Sequence, residues 1–317
     1  MSNASVTRAQ ALALVGGAAL APLASLAPAS AQATPLRIGV PASDSFAIGF
    51  FAVDQGFFRR AGFDAAITPF RGSGPVSAAI AGGALDIGLT DVIQIANAAS
   101  RGIPFAAIAG GGLYSAQESN TELCVPKTSS YRSPKDLEGQ TVAVITVASL
   151  MAAAVKAWLA QHGADPEKVR LVEMPPAEMV PALERGTVSA AYLAEPVLSQ
   201  VRERVRPVAS PYDAIGNGFL ISTWFSTREW LTKNPDVARR VVAAIYEASR
   251  WANDHRDLTA PILAKYAKLD IENARAMRRA RYATSLQPQM LQPVLDVAAK
   301  YKIIARDVPA GTLIAKI

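Results

Sequence analysis

The chain has 317 residues, half of them hydrophobic, and a net charge of +6 spread thinly along its length. That supplies apolar material for one large core or two smaller ones, and too little basic clustering for a nucleic-acid surface. A single cysteine, Cys124, excludes an intrachain disulfide, and the two histidines, His162 and His255, form no metal-spaced pair, so neither a metal nor a cofactor is expected.

At the N-terminus Arg8 precedes an uncharged run over residues 9–26, and the small-residue stretch Ala29-Ser30-Ala31-Gln32-Ala33 follows. This is the layout of a cleaved secretory signal over residues 1–33, which predicts a mature chain beginning near Thr34 in the periplasm. Gly16, Gly17, Pro22 and Pro28 interrupt the run and argue against a membrane anchor. No cysteine in the leader could carry a lipid, and Ala9 stands where a twin-arginine signal would place its second arginine.

From residue 36 short β-type runs alternate with helical stretches. Strands are predicted at 36–40, 65–69, 86–89 and 105–109, with helices at 47–61, 74–82 and 92–101 between them. After Gly110-Gly111-Gly112 comes a strand at 122–126, and the pattern restarts: strands at 141–145, 169–173 and 190–193, helices at 149–162 and 177–185, each helix ended by a glycine, Gly163 or Gly186. A β-run at 219–225 carries the chain back, and helices follow from Asn234-Pro235 to about 253, at 257–267 and at 288–301. Parallel strands need helical crossovers, so the order implies two α/β lobes with mixed, mostly parallel sheets. Two short crossings, near 114–124 and 211–220, read as a hinge. The expected division is lobe 1 over 34–115 plus 220–317 and lobe 2 over 116–219. Arg278, Arg279 and Arg281 fall in a helical pattern among alanines and read as a solvated helix face.

Four phrases together resemble the substrate-binding proteins of ABC importers for nitrate, sulfonates and taurine (the NMT1/THI5-like family), which include thiamine-precursor binders. They are Phe51-Ala52-Val53-Asp54-Gln55-Gly56-Phe57-Phe58 with Gly62-Phe63; Gly72-Ser73-Gly74 leading to Gly82-Gly83-Ala84-Leu85-Asp86-Ile87-Gly88; Ser133-Pro134-Lys135-Asp136-Leu137-Glu138-Gly139; and Ala182-Leu183-Glu184-Arg185-Gly186 with Glu195-Pro196. Ser189 stands where the family usually has Asp. The resemblance spans about residues 36–300. It implies a type II periplasmic binding protein fold, two α/β lobes joined by two hinge crossings, a ligand held between them, and an ABC permease and ATPase in the inner membrane as partners of a monomeric binder.

Ligands of open α/β sheets bind beyond the carboxyl ends of the strands, near helix N-termini. The first strand end offers Ser43, Asp44 and Phe46, read either as ligand contacts or as a helix cap. Arg71, Gly72, Ser73 and Gly74 open the next helix, where free N–H groups favour an anion and Arg71 either reaches it or points to solvent. Asp91 follows the next strand and is read as a ligand contact or a cap. Thr146 and Ser149 end the first strand of the second lobe, Tyr192 and Glu195 lie at a later strand end, and Trp224 stands on the return crossing. Carboxylates near a bound anion repel it, so a two-ended ligand, an amino-sulfonate or an aromatic acid with a phenolic hydroxyl, fits better than a bare inorganic anion.

Enzymatic readings lack parts. No G-x-S-x-G elbow occurs, Cys124 in a predicted strand reads as a small buried hydrophobe, and both histidines sit in predicted exposed turns. Pyrimidine-synthesising enzymes of the same fold carry a cysteine-rich, histidine-dependent site that this chain does not supply. A ligand-presenting sensor subunit and a pyrimidine-precursor binder stand beside the transport reading, with no turnover expected in any of them.

Overall fold

The structure, a computed structural model, describes Met1 and residues 33–317, so the expected signal segment lies almost wholly outside the described residues. In chain order the strands are β1 (Thr34–Pro41), β2 (Phe63–Phe70), β3 (Ile87–Thr90), β4 (Phe105–Gly110), β5 (Gly112–Leu113), β6 (Thr121–Pro126), β7 (Thr141–Val144), β8 (Arg170–Glu173), β9 (Ala190–Ala194), β10 (Val205–Ala209), β11 (Thr223–Thr227) and β12 (Arg281–Tyr282). They form one sheet ordered β2-β1-β3-β11-β4, a second ordered β10-β6-β9-β7-β8, and a small pair, β12 with β5. Each large sheet with its helices is one lobe.

Parallel pairing is less dominant than the strand-helix alternation suggested. β1 runs parallel to β2 and β3, and β7 parallel to β8 and β9, whereas β11 is antiparallel to both its neighbours and β6 to both of its own. The antiparallel strands are the ones that enter or leave a crossing, where the chain arrives from the other lobe instead of from a covering helix.

Sequence sets the packing of each layer. In β1, Leu36, Ile38 and Val40 are buried on one face, and Gly39 on the other leaves room for the Leu85 side chain, which a Cβ there would meet at 2.4 Å, and for Val76 of the helix Ser73–Ala81 at 3.1 Å. The helix Pro235–Asp254 starts on a proline, which suits a first helical turn, and buries Ala238, Val241, Ala244, Ile245, Ala248 and Ala252 at the three-and-four spacing of an amphipathic face. Stacking of Phe50 on Tyr266, with ring centroids 4.4 Å apart, joins the first helix to this layer. Among the described residues no helix is long and apolar enough to cross a membrane.

The glycine cluster is a close crossing of backbones at the end of the first-lobe sheet. Gly110, Gly111 and Gly112 lie where β4 ends, the return crossing passes and the β12 segment runs alongside. Gly112 N–H donates to Ser222 Oγ at 2.7 Å, Ile221 N–H to Gly112 O at 2.8 Å, and Ala283 N–H to Gly111 O at 2.8 Å. A Cβ on Gly112 would stand 2.3 Å from Ser45 O, a backbone atom that cannot swing away. Gly112→Ala is therefore expected to destabilise the chain by about 2 kcal/mol or more, the overpacking range, read as a lowered urea midpoint. A midpoint unchanged from the parent would refute the close crossing.

Candidate ligand-binding cleft

The parallel strands of the first lobe end in three loops: residues 42–47 after β1, 71–72 after β2 and Asp91 after β3. Those of the second lobe end in residues 145–149 after β7, 174–175 after β8 and Glu195-Pro196 after β9. The two sets face each other. Gln94 Nε2 donates to Ala148 O at 2.8 Å across the lobes, a Cβ on Gly72 would lie 3.9 Å from Ile145 Cγ2, and Asp44 N–H reaches Glu195 O at 3.4 Å.

Helix starts at this junction differ in what their N–H groups already hold. Asp91 caps the helix Val92–Ser100 by accepting from Gln94 N–H at 3.1 Å, and Ser149 caps Leu150–Gln161 by accepting from Ala152 N–H at 3.4 Å. The helix Pro176–Glu184 opens on Pro175-Pro176 and places Glu178 in its first turn, which removes donors and adds a negative charge. By contrast the helix Ser73–Ala81 begins on Gly72 with no side-chain cap and no acid in its first turn. Pro75 in its first turn has no N–H, so the N–H groups of Ser73 and Gly74, with the positive dipole end, remain available to an anion.

Thr90 belongs to the same place. Gly88 lies under Val76 of that helix, since a Cβ there would meet Val76 Cγ1 at 2.6 Å. Two residues further along β3, Thr90 points to the same face, and four residues back along the helix from Val76 is Gly72. The Thr90 hydroxyl is fully buried and has no hydrogen-bond partner among the described residues.

The remaining expected residues divide clearly. Ser43 and Phe46 are partly buried at the first loop, Arg71 and Gly74 are exposed at the rim, Gly72 and Ser73 are half-buried between the lobes, and Thr146 is half-buried opposite. Ser149 is engaged, donating to Thr146 O at 2.5 Å as well as capping its helix. Tyr192 is buried with its hydroxyl 3.2 Å from Thr121 Oγ1, and its ring packs on Tyr212, which also meets Tyr114 and Phe219. Glu195 turns to its own following turn, accepting from Ser199 N–H and Oγ at 2.9 and 2.7 Å with Arg202 3.6 Å away, and burial raises its pKa. Trp224 is wholly buried against Phe58 in the first-lobe core rather than at the cleft surface.

Asp44 is also wholly buried, and both its oxygens are held within the chain. Oδ1 accepts from Arg279 Nε at 2.8 Å, and Oδ2 from Ala280 N–H at 2.5 Å and Asn120 Nδ2 at 3.2 Å. This corrects the expectation of a solvated helix face for Arg278, Arg279 and Arg281. The helix stops at Ala276, the arginines follow it in extended chain, and they clasp the hinge: Arg279 on Asp44, Arg278 on Glu122 at 2.9 Å, and Arg281 3.6 Å from Glu118.

Asp91 stands apart. Burial pushes its carboxyl up to about 6, opposed only by N–H groups at its own helix start. Cys124 is a buried thiol pushed up to about 12 by burial, far from thiolate reactivity, and His162 and His255 are exposed. Thr90 was read only as the strand end beside Asp91, Gln94 is an ordinary polar position in an apolar run, and Tyr212 lay in a segment read only as a crossing.

A family model described as "NMT1/THI5 like" matches residues 44–258. The taurine-binding periplasmic protein of Escherichia coli is 26% identical over 203 residues, covering 62% of this chain and 60% of that protein. The alkanesulfonate-binding protein SsuA of Xanthomonas axonopodis, solved bound to MOPS, is 18% identical, covers 91% of this chain and 100% of its own, and superposes with a TM-score of 0.76. The desulfurization enzyme DSZB shares the fold at 15% identity, with 89% of this chain and 96% of that chain covered and a TM-score of 0.65. The fold is that of type II periplasmic binding proteins, a frame that carries binders and at least one enzyme.

Proposed function

The chain belongs to the NMT1/THI5-like family, and from that premise we propose that it is the extracytoplasmic solute-binding component of an ABC importer, taking a small organic anion between its lobes. The observation that carries the anion is the uncapped helix start at Gly72-Ser73-Gly74, backed by the unpartnered Thr90 hydroxyl. A sulfonate or carboxylate would take the free N–H groups there, with Arg71 at the rim, an aromatic or aliphatic body against Phe46, and the Thr146 loop closing from the second lobe. Export by a signal ending near Ala33, a monomeric binder and delivery to a permease and ATPase complete the reading. The family match and the binding proteins among its relatives support it. The ligand is held and released unchanged.

Ser73→Pro tests the anion contact with little risk to the fold, because proline suits a first helical position; it deletes the N–H and the serine hydroxyl together, and Ser73→Ala, which deletes the hydroxyl alone, separates the two. The proline variant's unliganded melting temperature should stay within about 2 °C of the parent, while affinity for a sulfonate or carboxylate that stabilises the parent falls about tenfold, the worth of one charge-assisted hydrogen bond. A panel of sulfonates, aromatic and aliphatic carboxylates and pyrimidines giving no thermal shift in the parent would sink the reading. Chemical turnover of a bound member would replace it with an enzymatic one.

A further inference from the structure

A cavity of about 300 Å³ lies at the far end of the first-lobe sheet from the cleft. β3, whose carboxyl end meets the cleft, and β4 run the same way, both antiparallel to β11. The cavity opens at the start of β4, beside Phe105, so about 17 Å of strand separates the two ends. Its walls come from three parts of the chain: the end of the helix Val92–Ser100 with the turn after it, Arg228 where β11 runs out, and the segment 304–313 that follows the helix Gln292–Lys300. Each wall is pinned. Arg228 N–H donates to Pro104 O at 2.7 Å and its Nη2 to Thr312 O at 2.6 Å. Gln292 holds the last segment, Oε1 accepting from Ala310 N–H at 2.7 Å and Nε2 donating to Val308 O at 3.4 Å, and Ala315 N–H closes on Ala107 O of β4 at 2.8 Å. The space is built before an occupant arrives, so filling it orders little of the chain.

The lining says what kind of occupant fits. Ala96, Ile103, Phe105 and Leu313 supply an apolar floor, with Phe105 fixed edge-on against Phe225 at 5.0 Å between ring centroids. Arg228 and Arg306 stand exposed at its edge, and no acid is among the described residues that line it. The helix end does not oppose a negative charge with bare carbonyls, since Ala98 O accepts from the N–H groups of Arg101 and Ile103, and Ala99 O from that of Gly102. A guanidinium takes a carboxylate in two parallel hydrogen bonds, and the apolar floor takes the body that carries it. The volume sits at the small end of ligand pockets, which limits the occupant to about one ring or a short branched chain.

We propose that this cavity is a second binding site, remote from the interlobe cleft, for a small carboxylate with an apolar body. Arg228 and Arg306 hold the carboxylate, and the body lies on Phe105. The site owes nothing to the reading of the cleft, because none of its lining residues borders the junction of the lobes described above.

The test uses 4-iodobenzoate, whose iodine reports its position by anomalous scattering. Crystals of the protein soaked in it should show an iodine peak over Phe105, with the carboxylate toward Arg228 and Arg306. In solution, equilibrium dialysis should give a saturable component that persists in Ser73→Pro. That component should weaken about tenfold in Arg306→Gln, the worth of a charge-assisted bond, and vanish in Ala99→Trp, which fills the cavity from an exposed position. Ser100→Trp, exposed at the same wall, repeats the comparison if the first variant folds poorly. 4-Iodobenzamide, the same body without the charge, should bind about tenfold more weakly than the acid. A peak in the crystal without saturable binding in solution is binding at crystal concentration only and overturns the proposal. Equal affinities for acid and amide, or binding lost in Ser73→Pro and untouched by Arg306→Gln, would overturn it too. Either result leaves the organic-anion reading of the cleft standing, and a cleft panel without effect leaves this site standing.

Discussion

Replacing Arg279 with methionine is expected to remove about 3–5 kcal/mol of folding stability, the penalty for leaving its partner Asp44 as an uncompensated buried charge. Asp44 is held by three groups that come from two distant parts of the chain, Arg279 and Ala280 on one side and Asn120 on the other. Tyr282 adds a fourth tie by donating its hydroxyl to Asp44 O at 2.7 Å. The double change Asp44→Asn with Arg279→Met should recover most of the loss, because a neutral amide no longer demands a cation. Urea unfolding of the single and double variants measures both. A single variant within about 1 kcal/mol of the parent, or a double variant no better than the single, would show that the pair does not hold the hinge.

Acidification from about pH 6 to pH 4 is expected to stabilise the parent relative to Asp91→Asn. In the folded chain burial holds the Asp91 carboxyl up to about 6, against an ordinary value of 3.8, so between those values the folded state binds the extra proton. Stability through this group therefore rises as pH falls, and above about pH 6 the whole penalty is present, at most about 3 kcal/mol for a shift of this size. Asp91→Asn should be more stable than the parent at pH 7 and lose that advantage by pH 4. The difference between the two curves isolates the group, because Asp136, Glu138, Glu167, Glu184 and Glu229 are all lowered by hydrogen bonds and pull the total the other way. The titratable neighbour is Tyr212, whose own pKa is raised by burial and by Asp91. A flat difference between the curves would remove Asp91 as an unpaired buried acid.

Much of the fold was legible because it is written in local patterns. Leu36, Ile38 and Val40 alternate as a strand should, Ser149 and Asp91 stand where helix caps belong, and Gly163 and Gly186 follow helices as expected. Glycines 110–112 were legible only as the break before the second lobe's pattern, with no sign of why three in a row are needed. That reason is non-local, since the close approaches come from Ser45, Ser222 and Ser285. The same limit explains Arg279. Its partner is 235 residues away, and a cluster of arginines among alanines carries no mark of which one is buried. At the cleft, the glycine-opened helix was readable from Gly72-Ser73-Gly74, whereas Thr90 gains its meaning only from the register that sets it abreast of that helix start. Trp224 was assigned to the cleft from its place on a crossing, but the side of β11 it occupies is decided by Phe58 and the helix behind it.

The helix Gln292–Lys300 has a mechanical consequence. It buries Val294, Leu295 and Ala298 against the helix Val92–Ser100 of one lobe and Leu150–Gln161 of the other, so a single apolar seam runs between the two halves. A swing about the glycines alone would pull that seam open and expose it to water. An opening that keeps the seam closed would have the halves slide along it while they rotate, and such an opening is expected to be a shear as much as a rotation. Larger or β-branched residues at Ala298 would then alter how fast the halves part while touching nothing that the ligand touches.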